Sequence, residues 1–128
     1  MQHSVLIVDD DAPFRAHLER ALTPLSYRVL TAADAQTAYA LLASDPVEAV
    51  LLEVDLPVMS GFGLYLAMLH RCPNLEHHIA IMTAHPGAVL RPWLRRHGCP
   101  VFRKPFPVQE LTAWLETATA APEQEAAG

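Results

Sequence analysis

Four short apolar runs, each ending in a polar or charged residue, constrain this chain more than any other feature. Val5-Leu6-Ile7-Val8 runs into Asp9-Asp10-Asp11, and Ala49-Val50-Leu51-Leu52 runs into Glu53. Ile79-Ala80-Ile81-Met82 ends in Thr83, and the shorter Val101-Phe102-Arg103 ends in Lys104-Pro105. Continuous apolar runs of this kind suit strands covered on both faces, as in a parallel sheet with helices packed on either side. In such a sheet every strand ends at one edge, and ligands of open α/β sheets bind in the crevice there. The edge would gather an acid cluster, a hydroxyl and one ammonium.

The intervening segments read as helices. Residues 5–9 are expected as a strand and 12–24 as a helix, with Phe14, Leu18 and Leu22 on one face at spacing four. Asp11 is the expected N-cap. A strand at 27–31 and an Ala-rich helix at 34–44 follow, then a strand at 49–53, a helix near 62–72 and a strand at 79–83. The segment 86–98 reads as a helix weakened by Pro86, Gly87 and Pro92. A proline costs roughly 3 kcal/mol inside a helix but is tolerated in the first turn, so this helix is expected to begin near Pro92. Gly98 is its expected stop. A strand at 101–104 and a helix over 107–118, with Val108, Leu111 and Leu115 inward, complete five β-α units. The fold class is α/β: a doubly wound five-stranded parallel sheet with helices on both faces. Residues 1–118 form the domain, and 119–128 read as a flexible tail or the start of a linker.

A chain of 128 residues with 52% hydrophobic content is long enough for one well-cored domain. Its net charge of -5 argues against direct nucleic-acid binding. No apolar stretch approaches the ~20 residues that span a bilayer. The N-terminus enters a strand pattern directly, without a signal peptide, so a cytoplasmic location is expected. Cys72 and Cys99 have no metal-like or redox-like spacing and read as free thiols. The seven histidines include one adjacent pair, His77-His78, and read as surface residues. Lys104 is the only lysine, in a chain whose other basic side chains are all arginine. Ammonium is a compact point charge and guanidinium a planar fork, so the two are not equivalent.

Val8-Asp9-Asp10, Leu56-Pro57 with Gly61, Thr83-Ala84 and Lys104-Pro105-Phe106, taken in order at strand ends, resemble the receiver domain of two-component response regulators. The resemblance covers residues 4–118 and implies a flavodoxin-like fold. It also implies Mg²⁺-assisted phosphoryl transfer from a histidine kinase or phosphotransfer protein to an aspartate. Carried over by that resemblance, Asp9, Asp10 and the carbonyl of Asp55 are metal ligands, and Thr83 and Lys104 contact phosphoryl oxygens. It further implies a cis peptide between Lys104 and Pro105. Partners implied are an output domain or effector protein and a weak homodimer, with no membrane contact. The partner face would span about residues 86–118, where Arg91, Arg95, Arg96 and Arg103 form a basic patch.

Two positions depart from the family pattern. The acceptor position, four residues before Pro57 and eight before Gly61, holds Glu53, the fourth candidate metal ligand. Glutamate is one C–C bond longer than aspartate, about 1.5 Å, and carries one negative charge against roughly 1.5 to 2 for a phosphate. Glu53 therefore either imitates the phosphorylated state or disables it. Asp55 follows two residues later, outside the strand end. The family's aromatic switch position, three before the lysine, holds Val101. His85 is expected at the site entrance beside Asp55. Two other readings fit the residues: an ordinary phosphorylatable receiver carrying an engineered Asp-to-Glu change, and a Mg²⁺-dependent phosphatase-like α/β enzyme with Asp9 as nucleophile.

Overall fold

The computed structural model of the chain describes residues 2–56, 61–85 and 90–119. Strands and helices alternate as β1 (His3–Val8), α1 (Ala12–Leu22), β2 (Tyr27–Ala32), α2 (Ala35–Ser44), β3 (Ala49–Glu53) and α3 (Gly61–Arg71). The second half is β4 (Ile79–Thr83), α4 (Leu90–His97), β5 (Val101–Arg103) and α5 (Val108–Ala118). All pairings are parallel in the order β2-β1-β3-β4-β5. The strand order reverses beside β1, which places the crevice of a doubly wound sheet between the ends of β1 and β3.

The apolar runs are buried on both faces. Leu6, Val8, Val50, Leu52 and Ile81 face one core with residues of α2 and α3. Val5, Ile7, Leu51, Ala80 and Met82 face the other with Leu18 and Leu22 of α1 and Leu111 and Leu115 of α5. Leu51 and Leu52 are chain neighbours in separate cores, both fully buried. Truncating either to alanine would cost roughly 2–5 kcal/mol.

Local chemistry explains the element ends. Asp11 caps α1 as expected, its side chain accepting the Phe14 N–H at 3.1 Å. The expected helix over 12–24 stops at Leu22, and a 3-10 turn over Thr23–Leu25 replaces its last turn. Pro24 has no N–H to donate to the preceding turn. Helix α4 begins at Leu90, so Pro92 lies in its first turn. Gly98 takes φ 70° after α4, a left-handed conformation suited to glycine. Strand β5 ends at Arg103, one residue before the expected limit, and Val108 is only half-buried. His78 is not a free surface residue: its Nδ1 meets the Ala118 carbonyl at 2.7 Å. Pro57 of the Leu56-Pro57 motif, Pro86, Gly87 and the expected tail from 120 onward lie outside the described residues, as does the side chain of Arg91. Among the described residues no helix is long and apolar enough to cross a membrane.

Candidate functional site

The ends of three strands deliver three side chains to one point. Asp9 follows β1, and its backbone N–H extends the ladder to β2 through the Ala32 carbonyl at 3.1 Å. Glu53 is the last residue of β3, opposite Met82 of β4. Lys104 follows β5, and its backbone N–H bonds the Thr83 carbonyl at 2.8 Å. From that anchor the lysine stem reaches back under the sheet edge. Its Nζ donates to Asp9 Oδ2 at 2.5 Å and to Glu53 Oε1 at 2.7 Å.

All three groups are shielded from water: Asp9 is 1% and Glu53 6% exposed, and the Lys104 side chain 16%. The remaining oxygens are also engaged. Asp9 Oδ1 accepts the Asp11 N–H at 2.9 Å, and Glu53 Oε2 accepts the Asp55 N–H at 3.1 Å. Burial raises the pKa of Asp9 above the usual aspartate value, and the bonds from Lys104 and Asp11 oppose that rise. Burial also works against charge on Lys104, but its bonds to Asp9 and Glu53 outweigh burial and hold its pKa above the ordinary lysine value. Two acids on one ammonium leave the cluster with a formal excess of one negative charge.

The other expected residues stand apart from this triad. Thr83 is fully buried at the end of β4, yet its Oγ accepts the His85 N–H at 3.3 Å instead of bonding the acids. Asp10 and the side chain of Asp55 are exposed, and Asp55 contributes its backbone N–H. His85 is exposed as well. Lys104 lies slightly closer to Asp9 than to Glu53, the two acids flanking it from adjacent strands. The Lys104-Pro105 peptide is cis, as the resemblance implied.

Asp9 and Asp10 offer the hard oxygens that Mg²⁺ prefers. The arrangement as it stands does not suit that ion. The oxygens of Asp9 and Glu53 that face each other already hold an ammonium. Among the described residues no three His, Cys, Asp or Glu side chains are grouped to hold a metal. The cation of this site is the chain's own lysine.

Sequence reasoning missed two participants. Arg15 of α1 donates from Nη1 to the Asp9 carbonyl at 2.5 Å. The ring of Phe14 lies 4.3 Å from Lys104 Nζ, centroid to nitrogen. The helical period placed Phe14 inward, but only the tertiary fold brings it against a residue ninety positions away.

The geometry agrees with the known proteins this chain is similar to. The family model described as response regulator receiver domain matches residues 5–116. The transcriptional regulator NtrC of Salmonella typhimurium is 32% identical over 120 residues, covering 92% of this chain and 25% of that protein. A protein-glutamate methylesterase/protein-glutamine glutaminase of Rhodospirillum centenum is 30% identical over 111 residues, covering 84% of this chain and 28% of that protein. The chain thus spans about a quarter of these longer relatives, whereas it covers 92% of a probable chemotaxis protein CheY of Rhizobium etli, at 28% identity over 91% of this chain. Among solved structures, the non-phosphorylated HemR receiver domain of Leptospira biflexa superposes with a TM-score of 0.82 at 26% identity, covering 94% of this chain and 96% of that one. A CheY-like receiver domain protein of Methanospirillum hungatei shares the fold with a TM-score of 0.85, both chains fully covered. With its matching sequence, its parallel sheet and the acid pair and lysine gathered at the sheet's C-terminal edge, the chain belongs to the response regulator receiver domain family.

Proposed function

We propose that this chain is a receiver domain of a two-component or phosphorelay system whose acceptor position has been taken out of use by Glu53, and that it signals through protein-protein contacts in one standing state. The carrying observation is that both Glu53 oxygens are engaged inside the fold: one on Lys104 at 2.7 Å, the other on the Asp55 N–H at 3.1 Å. A nucleophile needs a free oxygen aimed at the incoming phosphorus, and positioning errors of about 1 Å cost around a hundredfold. The extra bond of glutamate alone moves its carboxylate about 1.5 Å. Glu53 also holds Lys104 while Thr83 remains bonded to His85, so it supplies only part of the contacts that the family assigns to a phosphoryl group. That favours disabling over imitation.

Partners are then a histidine kinase or phosphotransfer protein that docks without productive transfer, and an output domain or effector protein. The groove beside β5 suits the latter. It measures about 630 Å³ and combines apolar Val101, Phe102 and Phe106 with Arg103 and Glu110. Treatment with acetyl phosphate and Mg²⁺, followed by intact-mass spectrometry, tests the reading. The chain as given stays unmodified, and Glu53→Asp gains one phosphate on the restored aspartate. A phosphate adduct on the unaltered chain would overturn the proposal. A generic phosphate ester left unhydrolysed sets aside the phosphatase-like reading.

A further inference from the structure

We infer that Phe14 is a positioning residue for Lys104, holding the ammonium on Asp9 and Glu53 by covering the side that the two carboxylates leave open. An ammonium has three N–H donors and no acceptor. Two directions go to Asp9 Oδ2 and Glu53 Oε1. The ring of Phe14, with its centroid 4.3 Å from Nζ, takes a further approach. That lies within the ~6 Å over which a cation is drawn to an aromatic face. A leucine would fill the space without this attraction.

The contacts close into a circuit. The Asp9 carboxylate accepts the Asp11 N–H, and the Asp11 carboxylate accepts the Phe14 N–H. The Phe14 ring lies under Lys104, and Lys104 returns to Asp9. The capping acid that starts α1 therefore also sets the height of the ring against the ammonium. Arg15, the next residue, fastens the same turn to the Asp9 carbonyl. The Phe14 ring also meets Phe106 at 6.0 Å and 80°, an edge-to-face contact. Phe106 lies two residues beyond Lys104, so the loop that carries the ammonium also braces the ring beneath it. The consequence for the site is competition: an incoming oxyanion has to compete with two carboxylates and a ring for the Lys104 ammonium.

This rests on the role proposed for Lys104 but is tested without any phosphodonor. Lys104 is the only lysine. A pulse of an amine-acylating reagent, with peptide mapping to separate Lys104 from the N-terminal amine, therefore reads one side chain. Phe14→Leu should speed acylation of Lys104 roughly 2- to 5-fold, the factor corresponding to about 0.5–1 kcal/mol of cation-π attraction. Phe14→Tyr, which keeps the ring, should restore the slow rate. Phe62→Leu, which removes a ring from the opposite core, should leave it unchanged. Equal rates in the unaltered chain and Phe14→Leu, or a Phe14→Tyr rate as fast as that of Phe14→Leu, would overturn the inference. If the leucine variant does not fold, isotope-labelled lysine in the unaltered chain gives a second reading. The Lys104 side-chain protons should be shifted upfield by the ring, and unshifted protons would equally overturn it.

Discussion

Replacing Lys104 with methionine keeps the stem and deletes the charge. Asp9 Oδ2 and Glu53 Oε1 share one nitrogen at 2.5 and 2.7 Å, so they lie at most about 5 Å apart. Two unit charges at ~5 Å repel by about 3 kcal/mol at an effective dielectric of ~20. Breaking a buried pair by removing one partner costs about 3–5 kcal/mol, because the remaining charge stays buried without compensation. We expect Lys104→Met to lose about 3 kcal/mol of folding free energy in urea titrations at neutral pH with chelator present. The matching fall in Tm for a domain of this size is roughly 10–15 °C. Adding Glu53→Gln to Lys104→Met should recover part of the loss, since one of the two facing charges is gone. The double-mutant cycle then gives the coupling free of unrelated packing losses. A Lys104→Met variant within about 0.5 kcal/mol of the unaltered chain, the usual range for surface substitutions, would refute the electrostatic account.

Three further outcomes follow from the same geometry. Millimolar Mg²⁺ should leave the stability of the unaltered chain nearly unchanged but raise the folding free energy of Lys104→Met by about 1.4 kcal/mol once Mg²⁺ exceeds its Kd tenfold; equal responses in calorimetry would contradict an ammonium in the cation's place. The pKa of Lys104 is raised in the fold by its two acids, so its stabilisation is fully present below the ordinary lysine pKa and is lost as pH climbs through the higher folded value; the stability gap between the unaltered chain and Lys104→Met should therefore narrow at alkaline pH, and a gap that widens there would reverse the sign of this assignment. Arg95 and Arg96 are exposed and, like Arg103, have no ion-pair partner among the described residues; Arg95→Glu with Arg96→Glu should abolish weak self-association in light scattering while Arg20→Glu does not, and equal effects would remove α4 and β5 as the partner face.

The strands were legible because burial on both faces writes itself as an unbroken apolar run, and each run ends where the structure ends the strand to within a residue or two. Asp9, Glu53 and Lys104 were legible for the same reason: the residue after such a run sits at the sheet edge whatever the loops do. Their bonding was not. Strand ends say that three side chains share an edge, but the choice of Asp9 as the nearer partner of Lys104 depends on rotamers and on backbone N–H groups two residues away. Thr83 illustrates the limit well. Its position at the end of β4 was correct, but its hydroxyl turned to a local amide, and no spacing rule forbids that. Phe14 was read as a core residue, which it partly is. Its contact with a charge appears only when α1 and the loop after β5 are brought together.

A receiver that toggles needs two arrangements of comparable free energy, and an input that binds one of them better. Both requirements are weakened in this chain by particular residues. At the input, the carboxylate of Glu53 is already bonded at both oxygens. At the output, the family's aromatic switch position is Val101, and the nearest rings point elsewhere. Phe102 meets Phe106 at 5.4 Å and Trp114 at 6.4 Å, on the side of the sheet that carries α1 and α5. On the opposite side, Trp93 of α4 packs against Phe62 at 4.4 Å and Tyr65 at 5.1 Å, both in α3. Tyr65 is buried, which pushes its hydroxyl pKa up, and Cys99 after α4 bonds it and adds to that rise. Helix α4 is thus joined to α3 by rings at one point and by a Tyr-Cys contact just beyond its end. Aromatic pairs of this kind contribute about 0.5–1.5 kcal/mol each beyond the area they bury. Moving α4 would break two of them together. Reversing a 99:1 preference takes about 5.5 kcal/mol of differential binding, and any input at Glu53 has to compete with the bonds its two oxygens already make. On the proposed function, an edge that holds one lysine between two acids favours a single standing conformation for this sequence.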